Sequence, residues 1–425
     1  MTASSAVAPV MSVRRSILVL GLLEAFGPLS MDLYLPQLPQ LAASLGTSDA
    51  LAQATMSVCM VGLGVGQLVA GPLSDRYGRR RPLLVGVALF TLLSLACVLA
   101  PNIQVLLVAR LLQGLAGSAG LVITMAVARD MYSGVDLSRM LSLLAVVSAS
   151  APIVAPVVGG TLALVMDWRG IFLVLTGIGL ALFVIALTGL KESLPPGMRH
   201  SGGLRTTGGH LRELFRDRLF VVIVIAAAAG GAAFFAYLSM SSFVLQDQFG
   251  LSPQLFSLFF AINALANLLG AQLSRLLVRR VGPGRMYLIG QLATAAAALL
   301  LLASVLLGWG LAGVLSSLAL FLFSSGVGGP NGTTLALGSH SARAGTAAAV
   351  LGTVTFTVGP IVGPFASLGG STALAMALTI AIAATVAGLL AWAVVPRLAG
   401  MRVGGARARG TRPGGAPAPL TPPRG

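Results

Sequence analysis

The sequence predicts an all-α membrane protein with twelve transmembrane helices in two six-helix bundles. Three observations carry that reading. The 425-residue chain is 56% hydrophobic and only 9% charged, with a mean hydropathy of +0.94, whereas soluble chains carry about 25% charged residues. Apolar runs long enough to cross a bilayer, roughly 20 residues, recur twelve times along the chain. Finally, all of the 27 lysines and arginines except Arg110 and Arg169 fall on one side if the runs alternate in direction. The net charge of +16 is therefore an orientation signal of the positive-inside kind rather than a nucleic-acid surface. It puts both termini and the central loop in the cytoplasm of a multi-pass cell-membrane protein.

The first set of runs lies near 16–38, 50–70, 83–100, 103–128, 138–163 and 169–190. The second lies near 219–243, 253–277, 285–306, 310–334, 344–368 and 371–395. Residues 1–190 are expected to form the first bundle and 219–396 the second. Between them 191–218, with Pro195-Pro196 and mixed charge, reads as a cytoplasmic linker. Residues 397–425, rich in Gly, Pro, Ala and Arg, are expected to be a disordered tail. Met1–Val13 has no basic flank and leads into a full span with no cleavage site, so no cleavable signal is expected.

The halves echo one another. Leu73-Ser74 after span 2 recurs as Leu273-Ser274 after span 8, each followed by arginines and a glycine. Pro152 and Pro156 in span 5 are matched by Pro360 and Pro364 in span 11. Parallel six-helix repeats are a transporter architecture, with the site at the midplane where the repeats meet.

Chemistry is scarce inside the spans, which makes it informative. Of the 11 acidic residues only Glu24 and Asp32 lie within them, both in span 1. An ionisable group there costs about 2.5–3.5 kcal/mol and is a functional candidate by default, unless it snorkels to an interface. Eight residues amount to about 80° of rotation and 12 Å of rise, so both acids can face one cavity at different depths. Arg110 in span 4 stays protonated and needs an acidic or carbonyl partner. Asp32, with Glu24, is expected to release a proton inward and to pair with Arg110. Cys59 and Cys97 fall in spans and give neither a disulfide framework nor metal spacing. His200, His210 and His340 fall in loops, and no nucleophile–base pair supports an enzyme.

Three motifs carry a resemblance. Gly71-Pro-Leu-Ser-Asp75-Arg76-Tyr-Gly78-Arg79-Arg80-Arg81-Pro closely resembles the cytoplasmic signature of the major facilitator superfamily. The resemblance implies the major facilitator fold and a latch of Gly71, Asp75, Arg76, Gly78 and Arg79 that joins the halves when the transporter faces outward. The second copy is degenerate, with Arg275 at the aspartate position. Arg110-x-x-Gln113-Gly114 resembles the span-4 motif of proton-coupled members. Pro152-x-x-x-Pro156-x-x-Gly159-Gly160 resembles the antiporter motif of exporters.

Met31-Asp32-Leu-Tyr34-Leu-Pro36, Tyr237 to Gln246 and Gly329-Pro330-Asn331 are similar to the bicyclomycin/chloramphenicol (Bcr/CflA) drug-exporter subfamily, over nearly the whole chain except the tail. What this implies is a monomeric drug:proton antiporter in the lipid bilayer, driven by the proton gradient without a cofactor and exporting small amphipathic compounds. Glu24 departs from the usual subfamily pattern of a single aspartate. Tyr34, Gln113, Tyr237 and Asn263 stand on cavity-forming helices as candidate substrate groups, though such residues also serve as helix glue. A metabolite transporter in either direction and a non-transporting membrane sensor remain as alternatives.

Overall fold

The structure is a computed structural model that describes residues 13–195, 197, 199, 214–338 and 344–409. It is helical throughout, with no strand among the described residues. The first half contains α1 (Val13–Asp32), a 3-10 turn (Leu35–Gln37), α2 (Leu38–Ser44), α3 (Asp49–Tyr77), α4 (Arg80–Val98), α5 (Ile103–Met131), α6 (Gly134–Leu162) and α7 (Trp168–Gly189). The second contains α8 (Arg218–Phe243) with a π-helical end (Val244–Gln248), α9 (Pro253–Val281), α10 (Pro283–Leu306), α11 (Gly310–Gly338), α12 (Ala344–Ala366) and α13 (Ala373–Arg409). Among the described residues nine helices are long and apolar enough to cross a membrane, and Ser150–Leu162 and Val350–Ala366 are shorter apolar stretches within α6 and α12. Leu92, Leu276 and Ile382 are more than 60% exposed. Such side chains on the outer helix faces suit contact with lipid.

Local signals set the helix ends. Ser48, Asn102, Asp167 and Ser252 each accept a hydrogen bond from the backbone N–H three residues on, capping α3, α5, α7 and α9. These caps all lie at one end of the bundle, hereafter the capped end. At the other, basic end the chain reverses from α3 to α4 through Gly78 at φ 89° and from α9 to α10 through Gly282 at φ 85°. Those left-handed values favour glycine, and their match makes the internal repeat visible in the backbone.

Two expectations change. The first span is not one helix through residue 38: α1 stops at Asp32, and Pro36 and Pro39 account for the break. Each proline lacks the N–H that would continue the ladder and disfavours helix in the residue before it. At the other terminus, α13 continues through residues 397–409, which were expected to be irregular. Residues 410–425, and the linker from 200 to 213, lie outside the described residues.

Within the first half α3 packs on α5, α4 on α7 and α1 on α6; within the second, α9 packs on α11, α10 on α11 and α13, and α8 on α12 and α13. The halves join mainly through α3 with α12 and α6 with α9. That leaves α1, α5, α8 and α11 to face the space between them.

Candidate functional site

A cavity of about 1090 Å³ occupies that space. Its wall runs from Asp32, Tyr237 and Phe260 at depth to Asp75, Arg79, Arg129 and Asp130 at the basic end. Both halves contribute, and Glu24 and Asp32 both line it. Each is about 5% exposed, at 6% and 5% respectively. Asp32 is the last residue of α1, so the proline-driven break fixes where its carboxylate stands. The rest of the deep wall is apolar and soft: Met31, Met60, Leu63, Phe234, Phe235 and Phe356 among others. Thioether and aromatic side chains suit irregular apolar ligands. Tyr237 stacks on Phe260 with centroids 5.6 Å apart, and its hydroxyl accepts from Asn263 Nδ2 at 3.2 Å.

Arg110 stands behind this wall with no exposure. Its Nη1 donates to Gln113 Oε1 at 2.6 Å and to the Ser30 carbonyl at 3.4 Å. Nε donates to the Thr55 carbonyl at 3.3 Å, and Nη2 to the Tyr34 hydroxyl at 3.3 Å. The guanidinium carbon also lies 4.7 Å from the Tyr34 ring centroid and 5.4 Å from that of Phe172. None of these partners is a carboxylate. The expected pairing of Arg110 with Asp32 is therefore absent, and the physical reason is the end of α1. The termination leaves the last carbonyls of the helix without intrahelical donors, and one of them, on Ser30, takes the guanidinium instead. Gln113 completes the knot by donating Nε2 to Ser94 Oγ at 2.7 Å. Cys59 and Cys97 are free and buried nearby.

The candidate substrate groups thus divide. Tyr237 lines the cavity, Asn263 supports it from behind, and Tyr34 and Gln113 belong to the Arg110 knot and do not line the cavity. Asn267 and Gln67 line it and were missed. Phe260, Ala264, Asn267 and Ala271 follow one another at three- and four-residue steps along α9. That helical stripe is the signal that could have found Asn267.

The latch motif forms a charged network. Arg79 Nη1 bonds Asp75 Oδ1 and Ser74 Oγ, and Nε bonds Asp130 Oδ2 at 2.9 Å. Burial alone would lower the Arg79 pKa, but the hydrogen bonds to Asp130 and Asp75 outweigh it and hold the guanidinium charged. Glu192 Oε1 accepts from the Arg79 backbone N–H at 2.7 Å, a carboxylate seated at the start of α4. Gly78 makes the turn, Gly71 lies within α3 on the cavity wall, and Arg76 lies outside the network, over the Tyr77 ring at 5.3 Å. Every partner named for Arg79 comes from the first half or from the start of the linker that follows it. The latch does not span the halves here, as befits a cavity that opens at this end.

In the antiporter motif Pro152 lines the cavity and Pro156 is buried. A Cβ at Gly159 would collide with the Leu33 carbonyl, and one at Gly160 with Ser257 of α9. The pair of glycines lets α6 touch the α1 break on one side and the second half on the other.

The family model of the Major Facilitator Superfamily matches residues 20–367. The chain is 38% identical over 346 residues to the uncharacterized MFS-type transporter YdgK of Bacillus subtilis, covering 81% of this chain and 86% of that one. It is 30% identical over 351 residues to a bicyclomycin resistance protein homolog of Haemophilus influenzae, covering 81% and 87%. Among solved structures, the nucleoside transporter NupG superposes with a TM-score of 0.73 at 15% identity, over 90% of this chain and 99% of that one. This last likeness concerns the fold alone.

Proposed function

Because the chain belongs to the major facilitator superfamily, we propose that it is a proton-coupled antiporter that exports drug-like amphipathic compounds from the cytoplasm by alternating access. The observation that carries this reading is the shared cavity: Asp32 and Glu24 stand on a wall that both halves build, its depth largely of aromatic, thioether and aliphatic side chains. The relative named for bicyclomycin resistance and the antiporter-like Pro152–Gly160 stretch point the same way.

The basic end is the cytoplasmic one by the positive-inside rule, so the cavity takes its cargo from the cytoplasm. In the proposed cycle an amphipathic compound settles against Phe235, Tyr237 and Phe260 and favours the ionised form of Asp32. The proton leaves inward, the halves rock, and a proton arriving from outside displaces the compound. One charge moving across the membrane is worth about 2.3 kcal/mol per 100 mV, enough to drive accumulation against a gradient. Arg110 acts in this scheme as a fixed cation that holds the α1 break, and hence Asp32, in place. The protein works as a monomer in the cell membrane, with the proton gradient as its only energy source.

The test is a resistance panel in an efflux-deficient host, chloramphenicol and bicyclomycin included, with and without an uncoupler. The expected result is decreased sensitivity to at least one compound, abolished by the uncoupler. An unchanged panel would remove the drug-export reading.

A further inference from the structure

At the capped end the halves are tied together by hydrogen bonds between mostly uncharged groups. Asp49, Gln53 and Ser57 lie one turn apart on α3 and form a stripe towards the second half. Asp49 Oδ2 accepts from the Ser371 backbone N–H at 3.3 Å. Gln53, with no exposure, donates Nε2 to Ser371 Oγ at 2.7 Å and accepts at Oε1 from Ser367 Oγ at 3.0 Å. Ser57 Oγ donates to the Pro360 carbonyl on α12. On the opposite flank Ser242 Oγ donates to the Leu35 carbonyl at 2.7 Å, and Gln246 Nε2 to the Pro36 carbonyl at 3.0 Å.

One of these acceptors exists because of a proline. A helical carbonyl is ordinarily taken by the N–H four residues on. Pro364 has no N–H for the carbonyl of residue 360, and Ser57 of the opposing half takes that place. The Leu35 carbonyl accepts from the Leu38 N–H in its 3-10 turn and takes Ser242 as a second donor. A buried carbonyl without a donor is costly, so parting the halves here penalises the Pro360 carbonyl until water reaches it.

We propose that Pro364, Ser57 and Gln53 are the positioning residues of an uncharged gate that holds the capped end shut. Pro364 makes the second half dependent on the Ser57 hydroxyl of the first, and Gln53 holds Ser367 and Ser371 of the second half through one amide. The gate biases the resting protein towards the arrangement open at the basic end, whatever the cavity carries. Its failure is therefore independent of the drug-export reading.

The test uses the full chain in lipid nanodiscs in a C59A/C97A background, with spin labels at Ala43 and Leu255, exposed positions on either side of this end. Pulsed electron resonance then reports the distance distribution between the halves. S57A, S242A and P364A should each enlarge the long-distance population by about 2- to 10-fold, the range set by one net hydrogen bond, and Q53L by more. S57A and P364A act on the same bond, so their double variant should not exceed the larger single effect. S316A, which removes a hydrogen bond inside its own helix, should leave the distribution unchanged. Unaltered distances in S57A, S242A and P364A, or additive effects of S57A and P364A, would overturn the proposal.

Discussion

The Arg110 guanidinium carbon lies 4.7 Å from the centre of the Tyr34 ring, while Asp32, two residues before that ring, faces the cavity rather than the guanidinium. The α1 break turns neighbouring side chains to opposite sides of one wall. Cation and carboxylate are thereby given separate tasks, and separate tests.

Asp32→Asn should abolish proton-driven drug transport in inverted vesicles while leaving drug binding measurable, because the amide keeps the shape and loses the titrating group. Glu24→Gln should retain proton coupling and alter the apparent affinity for charged compounds. Proton flux and drug flux measured together check this; coupled transport by Asp32→Asn would remove Asp32 as the proton carrier.

Gln113→Leu should lower the melting temperature of the purified protein, since it takes the Nη1 acceptor from a buried guanidinium. Losing one hydrogen bond to a buried charged group costs about 1.5–3 kcal/mol. Arg110→Lys should not substitute, because one ammonium cannot reach the Ser30 and Thr55 carbonyls, Gln113 and Tyr34 together. Thermal unfolding in detergent decides both.

Gly159→Ala should impair folding or transport far more than a surface Gly→Ala change, since its methyl would meet the Leu33 carbonyl. Backbone cannot yield as a flexible side chain can. Membrane insertion by surface labelling, followed by transport, distinguishes the two failures.

Tyr237→Ala and Phe260→Ala should change which compounds are carried, shifting relative resistance within a drug panel by several-fold. Tyr34→Phe, which removes a hydroxyl shared by Arg110 and Thr55, should lower stability without reordering the panel. A reordered panel for Tyr34→Phe would place that ring in contact with cargo.

The helices were legible because each apolar run must span the same thickness of lipid. The repeat was legible in Leu73-Ser74 and Leu273-Ser274, which lie inside α3 and α9 ahead of the Gly78 and Gly282 turns. The need of Arg110 for a partner was legible too. Which partner it takes was not: that depends on where α1 ends in space and which carbonyls the ending releases. Pro36 and Pro39 carried the signal of the break, but the apolar stretch around them reads as one continuous span. Gln53 and Ser57 passed unremarked because a neutral polar residue in a span has no meaning until the helix opposite it is known.

The polar knot around Arg110 and the wall of the cavity share the helices α1 and α5 but almost no side chains. Substitutions at Phe235, Met60 or Phe356 can therefore accumulate without loosening the buried cation. Under the proposed function, a protein built this way can change what it recognises by single substitutions in the wall while its internal scaffold is left intact.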